Sequence, residues 1–178
     1  SSDLNKAQIV DKEGQTRPLV AKEEKIVITG KTPADFVSRG ITPMQSASLL
    51  LILVAGISIY GIRRGKTLWD IDLILFLVAG MAGCILAFLA LFSQHPAVSP
   101  NYILFVFHPF HLFCLPFMLS RVRKREISRY MLVNFVVLTL FIGLWTIIPQ
   151  RIPPAVLPLA LCLLIRSASN LILTYKRK

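Results

Sequence analysis

The chain has 178 residues, of which 54% are hydrophobic, a mean hydropathy of +0.65 and a formal net charge of +11. Hydropathy this high excludes an ordinary soluble domain. Excess positive charge is typical of nucleic-acid-binding proteins, but here the basic residues lie in short connections beside apolar segments. We therefore expect them to contact anionic membrane lipid, and we expect no nucleic-acid partner.

The first 39 residues are polar, with seven basic and six acidic side chains. Three short strands are predicted at Lys6–Val10, Arg17–Ala21 and Lys25–Thr29. They carry too few large apolar residues to form a core, so we expect them to complete the sheet of an upstream domain. The chain begins without methionine or signal peptide, and we expect it to be the C-terminal part of a longer protein.

Five apolar stretches follow, each of about the length that crosses a ~30 Å hydrocarbon layer as a helix. They are Met44–Ile62, Trp69–Phe92, Tyr102–Leu119, Tyr130–Ile148 and Val156–Tyr175. Eleven basic residues flank them on one side of the membrane, against Arg151 alone on the other. This asymmetry predicts an N-terminus outside the cytoplasm and a C-terminus in the cytoplasm.

The predicted fold class is therefore an all-α membrane protein with five transmembrane helices and a short extracytoplasmic β appendage. Residues 1–43 are predicted to be the extracytoplasmic β segment and linker, and residues 44–178 the transmembrane domain. Pro43 suits the first turn of the first helix. Gly80 and Gly83 permit close helix contact in the second. Pro109 and Pro116 predict a kinked third helix that lies inside the bundle or lines a cavity.

Arg166 lies ten residues into the fifth stretch, near the predicted bilayer centre. An arginine there is costly, so a buried partner or a lipid headgroup is expected, and Asp72 is a candidate ion partner. The alternative is that the span ends at Arg166 and the guanidinium reaches the interface. Both interpretations remain open on the sequence alone.

Three histidines and an asparagine predict a polar column that runs inward from the outer surface. His95 and Asn101 lie at its top, His108 below them, and His111 near the depth of Arg166. One interpretation is a site for a polar headgroup or an acyl ester at the outer leaflet, so that all five residues are candidates for substrate or lipid binding. The other is that the histidines bond to carbonyls that the prolines leave without donors.

Two further interpretations have weaker support. Haem ligation usually pairs histidines on facing helices, and no second apolar stretch contains one. His111 and Cys114 share a helical face, so a thiol–imidazole pair is geometrically possible. Cys84, Cys114 and Cys162 otherwise read as apolar packing residues. No catalytic set is complete, and we expect neither a metal nor a cofactor.

Several segments together resemble one family. They are Asp11–Val20 (DKEGQTRPLV), Phe92–Asn101 (FSQHPAVSPN), His108–Leu112 (HPFHL) and Ile148–Arg166 (IPQRIPPAVLPLALCLLIR). They resemble the C-terminal region of a bacterial lipoprotein N-acyltransferase, in which a periplasmic thiol-dependent domain, formerly a domain of unknown function, precedes five membrane helices. The resemblance covers essentially the whole chain, and it implies a bacterial inner membrane with residues 1–43 as a periplasmic β segment.

The resemblance implies acyl transfer from a glycerolipid to a thiol, and then to the N-terminal amine of a diacylglyceryl-cysteine lipoprotein. The nucleophilic cysteine would lie upstream of Ser1, so whether this chain is itself catalytic stays open. Its implied partners are membrane lipids, the lipoprotein substrate and the upstream catalytic domain. The alternative function is a non-enzymatic membrane scaffold or a subunit of a larger envelope complex.

Overall fold

The structure, a computed structural model, describes four stretches of the chain: residues 8–10, 16–18, 40–92 and 101–176. The chain divides into two compact units, Ser1–Arg39 and Gly40–Lys178. In the first unit, strands β1 (Gln8–Val10) and β2 (Thr16–Pro18) pair in antiparallel fashion. The predicted strand at residues 25–29 lies outside the described residues. The periplasmic β appendage and the functional division at residue 43 stay predictions.

The second unit contains five α-helices: α1 (Pro43–Arg64), α2 (Trp69–Phe92), α3 (Phe110–Arg123), α4 (Arg129–Gly143) and α5 (Val156–Tyr175). A 3-10 helix, Tyr102–Phe105, precedes α3. Among the described residues, four segments are long and apolar enough to cross a membrane: α1, α2, the 3-10 helix together with α3, and α5. The chain is a multi-pass membrane protein.

Helix α4 differs from the prediction in length. It is regular over 15 residues, or about 22 Å, which is less than a ~30 Å hydrocarbon layer requires. Beyond Gly143 the backbone continues as turns, in which the N–H groups of Ile147 and Ile148 both donate to the carbonyl of Leu144. The fourth predicted span is therefore a helix followed by a looser turn, rather than one helix to Ile148.

Local sequence signals explain both ends of α1. Thr42 caps the helix: its hydroxyl accepts from the Gln45 N–H, and the Gln45 side chain accepts from the Thr42 N–H, which forms a capping box. Pro43 occupies the first turn, as predicted. Gly65 ends the helix with a φ of 63°, in the left-handed region that glycine adopts without strain.

The third predicted span is broken rather than kinked. The 3-10 helix ends at Phe105, and α3 begins only at Phe110, directly after Pro109. Helix α3 then continues through Pro116. The break lies against α2, because a Cβ atom on Gly83 would lie 2.6 Å from the His108 carbonyl carbon. The close contact predicted for the small residues of α2 is confirmed here.

Helix α5 lies at the centre of the bundle. Of its apolar window 56% is buried, against 22% in each of the other three candidate spans. It packs on α1 and on α4, whereas α3 packs mainly on α2. Helices α3 and α4 make little contact with each other, so this arrangement leaves a cleft between them.

Candidate functional site

The connections between α1 and α2 and between α3 and α4 meet at one end of the bundle. The Arg125 guanidinium donates to the Gly65 carbonyl, and the Arg123 guanidinium lies 4.2 Å from the centre of the Trp69 ring. We call this the basic end, because it also carries Arg63, Arg64, Arg121, Lys124 and Arg129.

Arg166 forms a buried ion pair with Asp72. Its Nε donates to Oδ1 at 2.7 Å and its Nη2 to Oδ2 at 3.1 Å, which is the bidentate geometry that holds a carboxylate most firmly. The two side chains are 1% and 0% exposed. The predicted partnership with Asp72 is confirmed. The guanidinium is buried against this partner, and α5 continues past it to Tyr175.

Three further groups complete this network. Arg166 Nη1 donates to the Ser58 hydroxyl at 3.0 Å, and Nη2 donates to the Leu68 carbonyl at 3.3 Å. The Asn170 amide donates to Asp72 Oδ2 at 2.8 Å. The network therefore ties α1, α2 and α5 together. Its carboxylate comes from the first turn of α2, so the guanidinium lies in the basic half of the bundle.

His111 is buried with both ring nitrogens in use. Nε2 lies 2.9 Å from the carbonyl of Val106, inside the break, and Nδ1 lies 2.6 Å from the Tyr130 hydroxyl. A carbonyl only accepts, so Nε2 carries the proton and, in the neutral ring, Nδ1 accepts from Tyr130. The thiol–imidazole pair with Cys114 is therefore wrong, because His111 has no ring nitrogen left to activate a thiol.

The expected depth of His111 is also wrong. It contacts Phe76, with ring centroids 5.2 Å apart, and packs on Gly80, whereas Arg166 bonds Asp72. Along α2 these contacts lie one to two turns further from the basic end, or about 6–12 Å. The break at Pro109 explains the difference, because His111 follows a non-helical segment and its depth cannot be counted from Tyr102.

His108 stacks on His111 but has no fixed partner of its own. The two rings are 3.9 Å apart at an interplanar angle of 19°. His108 Nδ1 is buried and has no hydrogen-bond partner among the described residues. A buried polar atom in this state carries a desolvation cost of about 1–3 kcal/mol, so it marks a position where a ligand group or a water would be stabilised.

His108 lines the open space between α3 and α4, which we call the α3–α4 cleft. The cleft has three segments, which adjoin because neighbouring ones share lining residues. The middle segment, of about 470 Å³, contains His108, Cys114, Tyr130 and Asn134. Towards the basic end lies a segment of about 1010 Å³, which shares Cys114 and Tyr130. Towards the opposite end lies an apolar segment of about 350 Å³, which shares Phe105 and Val137.

Asn101 and His95 are the other two residues of the predicted polar column. The Asn101 side chain caps the 3-10 helix, accepting from the Ile103 N–H at 3.2 Å. His95 lies outside the described residues. Among the described candidates, the structure brings together His108 and His111, while Arg166 belongs to a separate network. In the described part of the chain, no three His, Cys, Asp or Glu side chains cluster as metal ligands would.

Polar residues that the sequence analysis did not single out connect these features. The Asn134 amide, which lines the cleft, donates to the Ser167 hydroxyl at 2.9 Å, next to Arg166 on α5. Tyr130 fixes His111 from α4. The available signal was polarity inside an apolar stretch, which in a membrane points to a bundle-facing position.

A family model described as the Lnb transmembrane domain matches residues 35–178. The chain belongs to this family. The match covers all five helices and both networks. This family match confirms the prediction that the chain is the five-helix membrane domain of a lipoprotein N-acyltransferase family. No curated protein and no solved structure matches the chain.

Proposed function

We propose that this Lnb transmembrane domain is the membrane part of a lipoprotein N-acyltransferase. It anchors a periplasmic catalytic domain and holds lipid for acyl transfer to the N-terminal amine of a lipoprotein. The lipid is the diacylglyceryl-cysteine of the lipoprotein or a glycerolipid donor. The basic end faces the cytoplasm of a bacterial inner membrane and the N-terminus faces the periplasm, in line with the charge asymmetry.

The observation that carries the proposal is the His108 side chain, which lines the α3–α4 cleft and whose buried Nδ1 has no hydrogen-bond partner among the described residues. The His108 backbone packs closely on Gly83, and the His108 ring stacks on one face of the His111 ring. His111 is in turn fixed by Tyr130 and by the Val106 carbonyl. The imidazole is therefore held in position while its Nδ1 has no hydrogen-bond partner among the described residues, as expected of a group that awaits a ligand.

The walls of the cleft suit a lipid. The segment beyond His108 is lined by Tyr102, Phe105, Val137, Leu140, Phe141, Leu144 and Ile148. Apolar walls of this kind fit an acyl chain, and they do not select between lipid head groups. In the tautomer with a proton on Nδ1, His108 donates a hydrogen bond to the carbonyl oxygen of the acyl ester. His108 is thus a lipid-positioning residue, and the nucleophile is supplied by the periplasmic domain.

The first test uses a strain without its own lipoprotein N-acyltransferase. The mass of a reporter lipoprotein's N-terminal peptide is measured with the joined protein, with the membrane domain alone and with the periplasmic domain alone. We expect one added acyl chain only with the joined protein. Acylation by the membrane domain alone would move the chemistry into the helices. No acylation in any form, with all forms present in the membrane, would favour the scaffold function.

The second test isolates His108 in the joined protein. His108→Ala removes the polar atom, and the loss of one hydrogen bond to the lipid is worth about tenfold in acylation rate. His108→Asn restores an amide donor at the same distance from the backbone and should recover part of the rate. Phe113→Leu is the matched control, because Phe113 lies on α3 shortly after the break, is 68% exposed and does not line the cleft. Equal rates in all four proteins would remove the role assigned to His108.

A further inference from the structure

The basic segment of the α3–α4 cleft combines charge with access to the hydrocarbon region. Arg121, Lys124 and Arg129 line it together with Glu126, which gives three positive side chains against one negative. Phe117 and Met118 line the same segment from α3. The segment is large enough, at about 1010 Å³, for a head group and the start of a chain.

This segment differs from a merely basic surface because it leads inward. Cys114 and Tyr130 line both it and the middle segment, so a chain that enters at the basic end can continue along α4 past Val133. An occupant must therefore present a negative group at one end and hydrocarbon at the other. A glycerophospholipid with an anionic head group has this chemistry.

The dimensions agree with one leaflet of a bilayer. Half of a ~30 Å hydrocarbon layer is about 15 Å, which corresponds to about ten residues of helix. Counted from Arg129, this distance ends at Thr139, two residues past Val137, where the middle segment meets the apolar one. The basic and middle segments thus match the reach of a single acyl chain from the basic end.

We infer that the basic segment of the α3–α4 cleft binds one anionic glycerophospholipid. Its phosphodiester lies between Arg121 and Arg129, and one acyl chain extends along α4 towards Val137. This site overlaps the one proposed for the acyl-transfer substrate in the middle segment, but its head group lies at the basic end, whereas the substrate uses the apolar segment from the other end. The inference does not depend on acyl transfer and would stand if the domain were a scaffold.

The test is native mass spectrometry of the full-length protein in non-ionic detergent with phosphatidylglycerol. Phosphatidylcholine with the same acyl chains tests charge selectivity, and glycerol 3-phosphate tests whether the head group alone suffices. We expect retention of phosphatidylglycerol only. Equal retention of phosphatidylcholine, or binding of glycerol 3-phosphate without a chain, would overturn the inference.

A charge-matched pair of variants tests the location. Arg121→Gln with Arg129→Gln removes two positive charges from the cleft and should weaken phosphatidylglycerol binding about 30-fold. Arg63→Gln with Arg64→Gln removes the same charge from exposed positions at the same end that do not line this segment. The second variant should bind within twofold of the unaltered protein, and an equal loss in both would show a diffuse surface effect.

A third measurement needs no substitution, so it holds if the charge variants fold poorly. Cys114 lines the cleft whereas Cys84 lies on α2, and both are partly accessible. Phosphatidylglycerol should slow maleimide modification of Cys114 and leave Cys84 unchanged, as read peptide by peptide. Unchanged modification of Cys114 under saturating phosphatidylglycerol would place the lipid elsewhere and refute the site.

Discussion

Replacing Arg166 with methionine would leave the Asp72 carboxylate buried without its counter-ion. The pair is 1% and 0% exposed, so water cannot take the place of the guanidinium without a rearrangement of α1, α2 and α5. Removing one partner of a buried ion pair costs about 3–5 kcal/mol, because the remaining charge is uncompensated. The Ser58 hydroxyl and the Leu68 carbonyl also lose a partner.

The double variant Arg166→Met with Asp72→Leu should be far less harmful than the sum of its parts. Replacing a whole buried ion pair with apolar residues of similar size is often neutral or stabilising. The Asn170 amide and the Ser58 hydroxyl would then need new partners, whereas the Leu68 carbonyl still accepts from the backbone N–H groups of residues 71 and 72. We therefore expect the double variant to recover most of the stability that the single variant loses.

The assay is reversible unfolding in mixed micelles with increasing denaturing detergent, followed by tryptophan fluorescence. Arg121→Met is the matched control, because it breaks an ion pair with Glu126 whose side chains are 61% and 44% exposed. That pair should be worth at most about 1 kcal/mol. An Arg166→Met protein as stable as Arg121→Met, or a double variant as unstable as the sum of the singles, would refute the reasoning.

Two further substitutions test the break before α3. Gly83→Ala would place a Cβ atom 2.6 Å from the backbone of the break, and overpacking of this kind costs about 1–3 kcal/mol in the same unfolding assay. Gly56→Ala, with no atom within 4 Å, should be neutral or slightly stabilising, so equal effects would argue against the contact. Tyr130→Phe removes the hydrogen bond to His111 and should cost about 1–3 kcal/mol, whereas an unchanged midpoint would contradict that bond.

The sequence predicted those features that depend on composition and on residue order. Apolar length located the helices, and the starts of α1, α2 and α5 agree with it to within a residue. The cost of a buried arginine predicted a partner, and the position of Asp72 in the first turn of α2 placed one in the same half of the membrane. These inferences succeed because each depends either on a local property of the sequence or on one large energy, the cost of burying an unpaired arginine in the membrane.

The sequence did not predict what arises from packing between helices. Pro109 indicated a kink in the third span. The extent of the break, however, depends on the close packing of the His108 backbone on Gly83, which is a contact between segments distant in sequence. The same break moves His111 away from the depth of Arg166. The fixing of His111 by Tyr130 likewise joins α3 to α4 across the cleft, and nothing in either segment alone requires it.

The two polar networks join different sets of helices in the bundle. Helices α1, α2 and α5 are joined through Arg166 by bonds that satisfy most of its donors. Helices α3 and α4 are joined by the hydrogen bond between His111 and Tyr130, and Tyr130 also lines the basic and middle segments of the cleft. None of the described bonds of Arg166 involves α3 or α4, so a lipid in the cleft meets none of its partners. Substitutions at Arg166 should therefore act on stability, and substitutions at His108 on lipid handling.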